Sequence, residues 1–291
     1  MVSHLTGNMQ AIAITGTTFF GVFGLLAAVA ALYLYNFMDY SYDDETPEQV
    51  KSWRKAMIDI RYMLLIWAAA MAFVSAGYLL LYYNVGTLMR DVDDVPVNWS
   101  LFACSALGAG LLAYLMAVFF DVREIGGKIA VMVIWTLVFV FLSVGPLSHY
   151  GSKRDIAFGL AVFLVGVSLA VFFFCAHHPN GVFSTVQGWI PPIIAICGFV
   201  CLFVFWMLGY LNEPSSKAIL NSQWETQLGF FLGGNFTLFF LAALAAIMLR
   251  AARDYYNVYD MGVDRWGRHV PVDSEYQGQP LAVVNAGYPR I

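Results

Sequence analysis

Hydrophobic and polar positions alternate along this chain by whole segments. Long runs with almost no charge lie near 11–38, 57–84, 99–121, 127–149, 155–177, 188–212 and 226–252. Short polar stretches separate them: "DYSYDDETPEQVKSWRK", "RDVDDVPVN", "DVREIGGK", "HYGSKRD", "HHPNGVFS" and "NEPSSKAILNSQ". A bilayer core takes about 20 apolar residues in helical form, and every run reaches that length. The pattern predicts an all-α fold, a bundle of seven transmembrane helices whose short connections make successive helices antiparallel neighbours. The chain divides into a membrane domain, 1–252, and a tail, 253–291.

Composition agrees with the pattern. Of 291 residues, 60% are hydrophobic and 12% charged, against about a quarter charged in soluble domains. The chain is therefore an integral, multi-pass membrane protein in contact with lipid. The net charge of −4 says nothing about nucleic acid, but no basic run is long enough to track a phosphate backbone, so no nucleic-acid partner is expected. The first segment is no secretory leader, because it is too long and no Lys or Arg precedes it.

Lys and Arg set the orientation. Lys51, Arg54, Lys55, Arg61, Arg123, Lys128, Arg250, Arg253, Arg265, Arg268 and Arg290 fall on one side; Arg90, Lys153, Arg154 and Lys217 fall on the other. Cytoplasmic loops carry the excess of positive residues, which places the N-terminus outside and the C-terminus in the cytoplasm. Asp59 and Arg61 sit near the start of the second span, within snorkelling reach of the interface. No Asp, Glu, Lys, Arg or His lies near the middle of a span. Ion and proton pathways are marked by such groups, so a pump or proton relay is disfavoured.

Particular motifs narrow the family. In the second span, Arg61 and Tyr62 open the helix, Ala68–Ala70 form a small-residue run, and Tyr78 lies near the far end. In the sixth, "FVFWMLGYL" sets Phe203, Trp206 and Tyr210 on one helical face. In the seventh, "QWETQLGFFLGG" opens with Glu225 and Thr226. This combination resembles the microbial rhodopsins. The resemblance implies their seven-helix fold and an aromatic face of the kind that packs on retinal.

The same register shows what the chain lacks. The family's seventh-helix aspartate falls on Gly233 and its Schiff-base lysine on Thr237. The third-helix Asp–Trp becomes Asn98–Trp99, and the arginine before it becomes Val95, next to Pro96. A protonated Schiff base needs an amine and anionic partners, and these positions supply none of them. The resemblance therefore implies a divergent member without retinal chemistry and no covalently bound cofactor. Trp99, Phe203, Trp206, Tyr210 and Thr237 are the candidate lining of an apolar pocket for a non-covalent pigment or lipid, with core packing the competing role. The G-protein-coupled receptor motifs, Asp–Arg–Tyr and Asn–Pro–x–x–Tyr, are absent.

The remaining features have plain readings. Cys104, Cys175, Cys197 and Cys201 are apolar packing residues with no further zinc ligands nearby. Gly229 and Gly233, like Gly108 and Gly110, suit close helix packing, within the bundle ahead of an oligomer contact. Thr237 is expected to bond back to a carbonyl of its own helix. Asn98-Trp99-Ser100 is a glycosylation sequon close to the membrane; Asn235-Phe236-Thr237 is another, buried within it. His177 and His178 point different ways, and Asp91, Asp93 and Asp94 form a solvated loop. Pro191 and Pro192 fit the first turn of the sixth helix. The tail mixes several Tyr and a Trp with Arg and Asp, too aromatic for a disordered segment.

With no nucleophile, metal set or phosphate loop, the chain is not expected to be an enzyme. The leading expectation is a structural or accessory subunit of a membrane assembly, joined to other membrane chains or to further copies of itself. The alternatives are a module holding retinal, a carotenoid or a lipid without a covalent bond, and a transporter or channel for a neutral solute.

Overall fold

The computed structural model describes residues 7–38, 48–89, 96–119, 125–147, 152–175, 197, 225–226, 228–229, 231–248, 250–251, 261–263 and 269–271. Five helices come first: α1 (Gly7–Met38), α2 (Glu48–Tyr82), α3 (Trp99–Phe119), α4 (Ile125–Leu147) and α5 (Ser152–Cys175). A final helix occupies the described residues between 225 and 251. A lipid core offers backbone groups no water, so apolar segments satisfy them internally as helices. Helix bounds fall within a turn or so of the apolar runs, except that α2 begins nine residues before its span, Met57–Tyr82. The sixth span, 188–212, lies outside the described residues, save Cys197, which is helical and exposed.

Two polar ties fix the direction of the final helix. Near its start Glu225 accepts a hydrogen bond from Asn8 of α1, at 2.9 Å. At its far end Arg250 donates to Asp59 of α2, at 3.2 Å. It therefore runs parallel to α1 and antiparallel to α2. Arg61 also lies 4.2 Å from the centre of the Tyr35 ring, which joins α1 to α2 on the Asp59 side.

Packing follows the sequence at helical spacing. On α1 the buried positions are 9, 13, 16, 20, 24, 27 and 31, a seam with steps of three and four. The rest of α1 shows its apolar residues outward, including Leu25, Leu26 and Leu32, each more than half exposed. Lipid tails are the environment that such a surface suits. Small residues in the seam let α1 lie close to α2: a Cβ on Gly24 would stand 3.1 Å from Met71 Cβ. The α3 helix is buried on several sides, between α2, α4 and the final helix. Gly108 and Gly110 are the close-packing residues expected. A Cβ at Gly108 would meet Phe239 at 2.9 Å, and one at Gly110 would meet the Met132 carbonyl at 2.9 Å.

The described residues are almost entirely helical, as the all-α reading expects. Two short hairpins are added: β1 (Thr87–Met89) pairs antiparallel with β2 (Pro96–Asn98) between α2 and α3, and β3 (Met261–Val263) pairs with β4 (His269–Pro271) in the tail. These hairpins are only three residues per strand, too short to show as alternating hydrophobicity. The structure departs from the sequence reading at Gly229 and Gly233: both are exposed, and a Cβ on either meets nothing within 4 Å among the described residues. The residues turned inward on that helix include Leu228, Phe231, Asn235, Leu238, Phe239, Ala242, Ala243, Ala246 and Ile247.

Candidate functional site

The interior between α2, α3 and the final helix is built from aromatic and sulfur-containing side chains. Tyr78, Phe20, Phe231, Phe239, Met63 and Met71 are all fully buried. Phe20 and Tyr78 stack with ring centres 5.8 Å apart, tilted by 8°. A second cluster joins α1 to the final helix: Phe19 meets Phe236 at 4.9 Å and Phe240 at 5.3 Å, and Phe23 meets Phe240 at 4.5 Å. Such pairs contribute about 0.5–1.5 kcal/mol each beyond their burial.

Inside this apolar wall stands a small polar centre. Asn235, on the final helix, donates through Nδ2 to the Tyr78 hydroxyl of α2 at 3.2 Å, and at 3.5 Å to Ser105 Oγ of α3. Asn235 and Ser105 are at zero exposure, as is Tyr78. Asn235 Oδ1 has no hydrogen-bond partner. A flipped amide would reverse the roles and leave its N–H groups without an acceptor. Either way one end of a buried amide is unsatisfied, at a cost of about 1–3 kcal/mol. Every fully buried polar side chain among the described residues, namely Asn98, Ser100, Ser105, Ser168 and Asn235, is neutral.

The final helix changes winding directly after Asn235. Phe236–Ala242 form a π-helix, with Asn235 before it and Ala243 after it. The wider turn alters which carbonyls find partners within the helix. The Trp67 indole N–H of α2 donates to the carbonyl of Phe239, inside this stretch. π-Helical segments are rare and recur at functional sites.

The residues named from sequence fall in different places. Thr237 is half-buried and bonds back to the Gly233 carbonyl at 2.8 Å, as expected. Trp99 is 44% exposed at the first residue of α3. No hydrogen bond or ring contact joins Trp99 to Thr237 among the described residues. Phe203, Trp206 and Tyr210 lie outside the described residues, as do Asp91, Asp93, Asp94, His177, His178, Pro191 and Pro192. Cys104 is partly buried on α3.

Asn98 has a structural task. Its Oδ1 accepts the Leu101 backbone N–H at 3.0 Å, an N-cap for α3. Its Nδ2 donates to the Val85 carbonyl at 2.9 Å, and Ser100 Oγ donates to the same carbonyl at 2.8 Å. With the residue 2% exposed, the amide nitrogen of this sequon is committed in the folded chain.

Sequence reasoning had singled out Tyr78 and Asn235 separately and missed Ser105. The available signal was spacing on the final helix: Leu228, Phe231, Asn235, Phe239 and Ala242 recur at steps of three and four, which puts Asn235 on the buried stripe and Gly233 and Thr237 off it.

No family model and no curated protein matches the chain. Solved structures do resemble it. Cyanorhodopsin from the cyanobacterium Calothrix sp. NIES-2098 superposes with a TM-score of 0.58 at 15% identity, over 86% of this chain and 99% of that one. Thermophilic rhodopsin from Rubrobacter xylanophilus gives 0.54 at 13% identity, over 83% and 99%. Xanthorhodopsin, a light-driven ion pump with dual chromophore, gives 0.54 at 10% identity, over 88% and 98%. At these identities the likeness concerns the fold: this is an integral, multi-pass membrane protein of microbial-rhodopsin-like architecture.

Proposed function

We propose that this chain is a non-photoactive, rhodopsin-like membrane protein that serves as a structural or accessory subunit of a membrane assembly. One observation carries this reading: every fully buried polar side chain among the described residues is neutral. A pump must hold and move a charge, and a buried charge needs paired, hydrogen-bonded partners.

The residues present do not fit a covalently held retinal. The sequence has no lysine after Lys217, so the final helix supplies no amine. At its buried level stands the Asn235 amide, hydrogen-bonded to two hydroxyls. We also read the chain as a non-enzyme, on the sequence's lack of a nucleophile, metal set or phosphate loop. The outward face bearing Gly229 and Gly233 supports a partner role, because small residues let a neighbouring helix approach closely. The tail, 253–291, is a second candidate surface for a partner chain.

Gentle purification from the native membrane, with identification of every co-purifying chain, tests this reading. Stoichiometric partner chains support it; a chain that always arrives alone as a monomer overturns it. A second reading, non-covalent binding of an apolar ligand, is favoured by one specific feature: the unpartnered Asn235 oxygen in the core.

A further inference from the structure

An amide held at one end leaves its other end a fixed direction to face. One end of Asn235 is held by the hydroxyls of Tyr78 and Ser105, which belong to two other helices. A half-turn of the amide exchanges its nitrogen and oxygen at those hydroxyls and still leaves one end without a partner. Thr17 Oγ1 is likewise buried without a partner, but a helical threonine hydroxyl can rotate to a carbonyl of its own helix. Asn235 cannot satisfy both ends in that way. The π-helix that starts at the next residue widens the helix at this level. A core kept for packing alone gains nothing from an amide with one bare end.

We propose that the unpartnered end of the Asn235 amide binds one neutral hydroxyl, held at the junction of α2, α3 and the final helix. A hydroxyl can donate to the amide oxygen or accept from the amide N–H, so it satisfies whichever end stands free. That group comes either from a resident water or from the alcohol end of an otherwise apolar molecule. A hydrocarbon brings neither donor nor acceptor and is not selected. A cation is not selected either, because every fully buried polar side chain described is neutral and none would balance the charge. This inference gives the apolar-ligand reading a chemical class. It is independent of the subunit reading, which is decided by co-purifying chains.

Infrared spectroscopy of the full chain in lipid nanodiscs, with ¹³C in the asparagine side-chain carbonyls, tests the proposal. Subtracting the spectrum of Asn235→Leu isolates the Asn235 band; if that variant does not fold, Asn235→Met serves the same subtraction. The band is read in the Tyr78→Phe, Ser105→Ala double variant, with the subtraction made in the same background, because neither of those hydroxyls can then donate to the amide. The expected band still lies at the lowered frequency of a hydrogen-bonded amide carbonyl; a band at the frequency of a free amide in apolar solvent would overturn the proposal. Mass spectrometry of solvent extracts separates the two sources. An apolar alcohol near one per chain, lost in the Asn235 variant, identifies a ligand; a hydrogen-bonded band with no such alcohol identifies water.

Discussion

At the scale of single residues, Gly16 and Asn98 make the sharpest claims. A Cβ on Gly16 would lie 2.4 Å from Tyr78 Cγ, so even alanine must move the ring. That ring also carries the hydroxyl bonded to Asn235. Gly16→Ala is expected to lower stability by about 1–3 kcal/mol, the usual cost of overpacking a core, as read by thermal unfolding in detergent. Asn98→Ala removes the N-cap of α3 and the tie to Val85. Loss of a cap costs about 1 kcal/mol, and the same unfolding assay should show it. Gly86 illustrates what local sequence rarely reveals. Its φ is +71°, and a Cβ there would collide with Ser100 Oγ, so the turn into the first hairpin requires glycine for both conformation and space.

At the scale of elements, the helices were legible because length and apolarity in a membrane chain leave few alternatives. The final helix was legible as a span yet not in its detail. Nothing in "GGNFTLFFLA" announces a π-helix, because that winding depends on what the neighbouring helix offers. Here α2 offers the Trp67 indole to the Phe239 carbonyl. Trp67→Phe keeps the ring and removes the donor. The expected result is faster hydrogen exchange across 236–243, with about 1 kcal/mol lost in unfolding; unchanged exchange would show that the π-helix stands without Trp67. The Arg250–Asp59 pair is partly withdrawn from water, with the Arg250 side chain 11% exposed and that of Asp59 38%. Its value is orientational, since it fixes which end of α2 meets the end of the final helix.

The candidate site was half legible. Tyr78 and Asn235 stand out as polar groups in apolar runs, whereas their meeting depends on helix rotation. Aligning Glu225 with the resembled family pointed to Gly233 and Thr237, residues that lie off the buried stripe. A register carried by a two-residue motif fixes spacing along a helix. It does not fix which face turns inward, and contacts with Phe19, Trp67 and Tyr78 decide that.

At the scale of the whole molecule, a rhodopsin-like bundle whose described buried polar side chains are neutral has its outward faces left for a partner. Replacing Gly229 and Gly233 together with isoleucine adds side chains where a Cβ meets nothing within 4 Å among the described residues. The fold should survive, with an unfolding temperature close to native, while a partner chain seated on that face is lost from the purified complex. Retention of every partner would move the contact elsewhere, with the tail the next surface to test.

The most direct test of the neutral, lysine-free interior is an absorption spectrum of the purified chain before and after addition of all-trans-retinal, followed by hydroxylamine. The account predicts no red-shifted band of a protonated Schiff base and no hydroxylamine-sensitive change. A stoichiometric red-shifted band that hydroxylamine bleaches would contradict it, because it would require an amine and a balanced buried charge that this interior does not contain.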